Sequence, residues 1–340
     1  MKKFFFMIFL LSVVSCKEGN NEGDFFFLIN KGAKMPVLVR GNKSAGIFIL
    51  FVHGGPGGTA FQKIGLPAFD HLENLYAVVY WDQRGSGSSQ GDSPNSLFTL
   101  DQFVEDLDQV INLVRYRYHN PEIFLMGHSF GGCLGTAYLA DGTRQDKVKG
   151  WIEVDGAHNN PKADSLSLDW ITSYAQNRIN NNVDVDFWKY ALGWYARNPN
   201  FTSDQLEHYA FLEKANGYVH DPSVKRKPTI YSGFAFDYVF NSPADDAMAL
   251  TNYNHVLKTF IISDIDLTLK MKNITVPTLM IWGKFDGVIP YPMAAQALNA
   301  LGTPVSQKGI TTLMNSGHVG FYEEPDLFVG AVNQFVEAHK

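Results

Sequence analysis

Apolar and polar positions along the chain fall into short buried runs separated by longer amphipathic ones. Ile47 to Val52 reads IFILFV, a continuous apolar run of strand length. Similar runs occur at Tyr76 to Trp81, Ile123 to Met126, Val148 to Val154, Pro277 to Trp282 and within Val305 to Leu313. Continuous rather than alternating apolar strands are the mark of a parallel sheet buried on both faces. Before them, Phe25 to Ile29 and Val37 to Arg40 predict two antiparallel strands around a Lys31-Gly32 turn. Helical spacing appears between the runs. Phe103, Val104, Leu107, Val110, Ile111 and Val114 line one face of a helix that opens on Thr99-Leu100-Asp101-Gln102, a capping-box pattern. Met293 to Leu301 predicts another helix, and Asp326 to His339 a closing one carrying Leu327, Phe328, Val332, Phe335 and Val336. Alternating strands and helices of this kind predict an α/β fold with a mostly parallel sheet flanked by helices.

The alternation stops between residues 157 and 272. Aromatics are dense there, among them Trp170, Tyr174, Phe187, Trp188, Trp194, Tyr195, Tyr209 and Phe211, then Tyr231, Phe234, Phe236, Tyr238 and Phe240. Trp188, Leu192 and Tyr195 stand at helical spacing. The segment predicts a mainly helical cap, whose rings form its core with a minority lining a pocket. The core is then 24–156 with 273–340.

Glycines mark where chemistry would sit. Gly127-His128-Ser129-Phe130-Gly131 follows a strand and opens a small-residue helix, the context of a nucleophile elbow. The helix N-terminus favours developing negative charge beside Ser129. His53-Gly54-Gly55-Pro56-Gly57-Gly58 follows another strand. No Lys-Ser/Thr pair follows it, so a phosphate cradle has no support. Paired with the elbow, the loop predicts an oxyanion hole built from the backbone N–H groups of Gly55 and Phe130. Asp286 and His318 each follow a predicted strand, giving the chain order Ser129, Asp286, His318. In that constellation His318 takes the serine proton and returns it to the leaving group, while Asp286 holds the imidazole tautomer. Asp155, also at a strand end, is a rival acid. His128 reads as packing or polar support, and His53 as a loop residue. A serine at position 129 excludes an aspartate nucleophile.

Composition removes other classes. A net charge of −6 over 340 residues gives no reason to expect nucleic acid. The two cysteines, Cys16 and Cys133, make no disulfide framework, and no metal-type Cys or His spacing occurs, so neither a metal nor another cofactor is expected. Cys133, four residues after Ser129 on a tightly packed helix, predicts a buried, inert thiol.

Lys2 and Lys3 precede an apolar run from Phe4 to Val14, the form of a signal peptide over 1–15. The following Val13-Val14-Ser15-Cys16 resembles a bacterial lipoprotein box, which implies lipidation at Cys16, a polar tether over 16–24, and attachment to a bacterial membrane on an outer-membrane, periplasmic or surface face.

His53-Gly-Gly-Pro-Gly-Gly58, Trp81-Asp-Gln-Arg-Gly-Ser-Gly-Ser88 and Gly127-His-Ser-Phe-Gly-Gly132, in that order, resemble the prolyl aminopeptidase (proline iminopeptidase) family of α/β-hydrolases. The resemblance covers nearly all of the mature chain. It implies release of an N-terminal residue, often proline, from a short peptide, and a cis Gly55-Pro56 bond. It also implies cap carboxylates that read the substrate's free amine. Glu207, in Glu207-His208-Tyr209, is the first candidate and Glu213 the second. Two departures keep an esterase or lactonase acting on a neutral acyl substrate in view. The elbow is Gly-His-Ser-Phe rather than Gly-Gly-Ser-Trp, and the Glu207 stretch is one residue shorter than the family's Glu-Asn-His-Tyr.

Overall fold

The computed structural model describes residues 23–201, 205–224, 255–256, 258–260 and 262–340. The expected signal segment, Cys16 and the aromatics Tyr231, Phe234, Phe236, Tyr238 and Phe240 lie outside the described residues. No helix among the described residues is long and apolar enough to cross a membrane.

The chain opens with a hairpin, β1 (Asp24–Asn30) and β2 (Ala33–Gly41), closed by Lys31 and Gly32, both at positive φ. β3 (Ile47–Val52), helix α1 (Pro67–Leu75), β4 (Ala77–Trp81) and the two-residue β5 (Gln90–Gly91) follow. Next come α2 (Leu100–Arg117), β6 (Glu122–His128), α3 (Phe130–Ala140) and β7 (Gly150–Val154). Helices α4 (Asn160–Asn180), α5 (Val185–Arg197) and α6 (Gln205–Lys214) then intervene, and the described residues of 157–272 contain no strand. The core resumes with β8 (Thr278–Gly283), α7 (Pro292–Ala300), β9 (Lys308–Leu313), the short α8 (Gly320–Glu323) and α9 (Pro325–His339).

One nine-stranded sheet runs in the order β1-β2-β4-β3-β6-β7-β8-β9, with β5 paired to β2. Every pair from β4 to β9 along this path is parallel. β3 shows why an unbroken apolar run suits this position. Its side chains alternate between two cores: Phe48, Leu50 and Val52 pack with α2 and α3, while Ile47, Ile49 and Phe51 pack with α1 and α9. α2 starts where the sequence places its cap, with the Thr99 hydroxyl accepting from the Gln102 N–H at 3.2 Å. All six of its predicted apolar positions are buried.

The chain goes from β3 to β4 on one side and returns to β6 on the other. The ends of β3 and β6 therefore lie side by side at the point where the winding reverses, the place where open parallel sheets build their sites.

Candidate active site

β6 and α3 meet at Ser129, which holds φ 56° and ψ −121°. A non-glycine residue keeps such a conformation only where its surroundings over-determine it. Here the Ser129 N–H donates to Val154 O (3.0 Å), and its carbonyl accepts from the N–H groups of Gly132 (2.8 Å) and Ala157 (3.0 Å). The turn also needs Gly131, where a Cβ would stand 1.9 Å from the carbonyl oxygen of Val52. Phe130 is the first residue of α3, so its N–H has no partner within the helix.

His318 follows β9 and Asp286 follows β8. The His318 Nδ1–H donates to Asp286 Oδ2 at 2.8 Å, and both side chains are buried. Asp286 Oδ1 accepts from the N–H groups of Val288 (2.7 Å) and Ile289 (2.9 Å). The carboxylate is thus held by three donors, and the bond at Nδ1 leaves Nε2 of the neutral ring as the acceptor. Asp155 makes no such bond to histidine; its Oδ1 accepts from the Gly283 N–H at 2.8 Å. His128 supports His318 from the other side, with its Nε2–H donating to the carbonyl of His318 at 2.8 Å. Burial, then the neighbouring His318, pushes the His128 imidazole well below the usual histidine range.

The loop after β3 presses against the elbow, so that a Cβ on Gly54 would lie 2.9 Å from that of Ser129. Gly55 holds φ 124°, and the Gly55–Pro56 bond is cis, as the family resemblance implies. The Asp82-Gln83-Arg84 motif supports this loop. Gln83 donates from its backbone N–H to His53 Nε2 (3.1 Å) and from its side chain to the His53 carbonyl (2.9 Å). Asp82 accepts from the Thr59 hydroxyl and the Ala60 N–H. Arg84 is fully buried and grips both oxygens of Asp106 at 2.9 Å. Burial holds His53 down at about 4, so it is a neutral loop brace.

Gly55, Ser129 and Phe130 line a small cavity of about 40 Å³ together with Asp164, His208 and Tyr209 from the inserted helices. Asp164 is half-buried on α4 and has no hydrogen-bond or ion partner among the described residues. Burial alone raises its carboxyl to about 7. His208 takes part in a directed chain of hydrogen bonds. The Tyr195 hydroxyl donates to His208 Nδ1 (2.7 Å), His208 Nε2–H donates to the Ser167 hydroxyl oxygen (3.0 Å), and Ser167 donates to the carbonyl of Gly287, next to Asp286. Only the Nε2–H tautomer satisfies both partners, and burial, holding His208 at about 4, keeps the ring neutral.

The structure brings Ser129, Gly55 and Phe130 to one cavity and pairs Asp286 with His318. It does not bring Glu207 or Glu213 there. The Glu207 carboxylate accepts from the Tyr190 hydroxyl at 3.1 Å on the outer side of α6, and Glu213 is exposed. Neighbours on a helix point about 100° apart, so with His208 turned into the cavity Glu207 turns away. Sequence reasoning missed Asp164, Ser167 and the role of His208. The Glu207-His208-Tyr209 stretch held the signal, but the histidine carries it. Cys133 is buried, and burial followed by the charge of Glu153 pushes its thiol far up. Among the described residues no group of three His, Cys, Asp or Glu could hold a metal ion.

A nucleophile elbow, a buried acid–histidine pair at two further strand ends and a helical insertion over them define a hydrolase, and the profile of the alpha/beta hydrolase fold matches residues 47–325. The chain belongs to that family, and within it is prolyl aminopeptidase-like. It is 28% identical over 301 residues to the proline iminopeptidase of Heyndrickxia coagulans, across 85% of this chain and 90% of that protein. Among solved structures, the proline iminopeptidase of Mycobacterium smegmatis superposes with a TM-score of 0.64 at 17% identity, over 93% of this chain and 98% of that one. A putative aryl esterase from Burkholderia cenocepacia gives 0.59 at 20% identity, over 93% and 99%. These likenesses support a hydrolase of the α/β fold.

Proposed function

We propose that the protein is a serine hydrolase that releases a proline-like or small apolar N-terminal residue from short peptides. The observation that carries this reading is the unpartnered Asp164 carboxyl in the cavity that Ser129 lines. A substrate ammonium entering that cavity loses water and needs a counter-charge. Asp164 supplies one, and a neutral ester would not use it.

In this mechanism the Ser129 hydroxyl attacks the carbonyl carbon of the N-terminal residue while His318 Nε2 takes its proton. The imidazolium is stabilised through Nδ1–H by Asp286. The N–H groups of Gly55 and Phe130 bind the tetrahedral oxyanion. His318 returns the proton to the leaving amine, and the acyl-enzyme remains. Water, deprotonated by His318, then attacks the ester and frees Ser129. Lipidation at Cys16, as the box implies, would hold this activity on a membrane face outside the cytoplasm.

A panel of aminoacyl-naphthylamides and nitrophenyl esters, run on wild type and on Ser129→Ala, tests the reading. Turnover of the free-amine substrates that is lost in Ser129→Ala is expected. Good ester turnover with no cleavage of any free-amine substrate would replace it with the esterase reading.

A further inference from the structure

β7 ends in a carboxyl that the proposed mechanism leaves unused. Asp155 has no exposed surface and holds φ 45°. Its N–H donates to Ile281 O at 3.0 Å, and its Oδ1 accepts from the Gly283 N–H. These bonds fix it beside the end of β8, and its carboxyl faces that of Asp286. Oδ2 has no hydrogen-bond partner among the described residues. A buried polar oxygen without a partner is costly, and two ionised carboxylates side by side in a dry interior are costlier still.

One proton removes both costs, and the hydrogen bonds say where it sits. Asp286 is an acceptor on both oxygens, from two backbone N–H groups and from His318. A proton there would leave it facing donors with fewer lone pairs. Asp155 has the free oxygen. We propose that Asp155 is a neutral carboxylic acid whose Oδ2–H donates to the Asp286 carboxylate and so positions the group that orients His318.

The surroundings agree. Burial first and the charge of Asp286 second push Asp155 well above the usual carboxylate range, and the negative Glu323 on α8 acts in the same direction. The Gly283 N–H opposes them only in part. His318 is already bonded through Nδ1 to Oδ2 of Asp286. Asp155 is a positioning residue, and the inference rests on Asp286 being the acid that orients the catalytic histidine.

Two measurements test this. The first needs no activity: the infrared difference spectrum between wild type and Asp155→Asn at pH 7. A protonated-carboxyl band present in wild type and missing in the variant is expected, and taking the difference removes bands from other buried acids. Absence of that band in the difference overturns the proposal. The fold should show the same proton. Between the unfolded pKa and the raised folded one, each pH unit shifts the folding equilibrium of wild type about tenfold against Asp155→Asn. The stability of wild type relative to this variant should therefore fall as pH rises above the range of an unfolded carboxyl, whereas a constant difference contradicts a proton held by the fold.

The second measurement is kinetic. Asp155→Leu should lower kcat about 30-fold with KM little changed, and Asp155→Asn, which keeps a donor toward Asp286, should recover most of it. Equal losses in the two variants, or none in Asp155→Leu, would remove the positioning role. If Ser129→Ala matches wild type on every substrate, the catalytic reading fails by itself. The infrared band still decides the proton.

Discussion

His128 holds His318 by its backbone: Nε2–H donates to the His318 carbonyl at 2.8 Å, and the two rings lie 4.8 Å apart. The residue beside the nucleophile thus fixes the residue that would take the nucleophile's proton. Burial keeps His128 neutral, and the His318 carbonyl, which can only accept, selects its Nε2–H tautomer. Replacing it by Phe keeps a ring against Phe321 but removes the bond. We expect His128→Phe to lower kcat about tenfold with KM little changed, because the loss is one of orientation. His128→Gln, which can still donate, should lose less. Steady-state kinetics on one good substrate decides this, and a pure KM effect would assign His128 to substrate binding instead.

Asp164 should separate the two substrate classes. Asp164→Asn is expected to reduce kcat/KM for a free-amine substrate about 100-fold, since truncating one partner of a desolvated charge pair costs roughly 2–5 kcal/mol. A small neutral ester should change little. The pH dependence follows from the raised carboxyl. Asp164 is neutral below about 7 and charged above it. The ratio of free-amine to ester kcat/KM should therefore rise with pH through about 7 in wild type, below the roughly 7.7–8.0 at which the substrate's own α-ammonium deprotonates, and this rise should be missing in Asp164→Asn. A ratio that falls with pH, or identical losses on both substrates, would take Asp164 out of this role.

Glu207 and Glu213 should matter little. Glu207 is bonded to Tyr190 on the outer side of α6, and Glu213 is exposed. Exposed polar contacts of this kind contribute little to stability. Glu207→Gln and Glu213→Gln should stay within about twofold of wild type on both substrate classes. A selective loss on free-amine substrates in Glu207→Gln would mean that the side chain turns inward on binding.

The sheet and the elbow were readable because they are local. IFILFV is β3 residue for residue, buried on both faces, and the six apolar positions of α2 were set by helical period alone. The pairing of Asp286 with His318 could be anticipated because open parallel sheets gather polar residues at their strand ends, and only the Nδ1 bond separates Asp286 from Asp155. The cap residues were not readable. Asp164 is one acid on a helix whose sequence looks ordinary, and only the packing of α4 over the elbow gives it meaning. Glu207 and His208 are adjacent, and nothing local says which of them α6 turns inward. α1 was also missed. Its buried face is Ala68, Phe69 and Leu72, too short a stripe to stand out beside Pro67.

The lipid anchor proposed at Cys16 is tested by one substitution. Acyl chains contribute about 0.8 kcal/mol per buried CH₂, and durable attachment takes two or more. Cys16→Ala should release the protein from the membrane fraction. Wild-type protein in the soluble fraction with no mass added at Cys16 would refute the anchor.

The central claim is that a serine at the elbow attacks the carbonyl of a residue carrying a free ammonium. The direct measurement is kcat/KM for prolyl-naphthylamide against its N-acetyl counterpart, with Ser129→Ala beside wild type. The free-amine compound should be cleaved at least about 100-fold better, since acetylation removes the charge that Asp164 meets. Ser129→Ala should lose several orders of magnitude on it. Equal or better cleavage of the acetylated compound, or near-normal turnover by Ser129→Ala, would contradict the account.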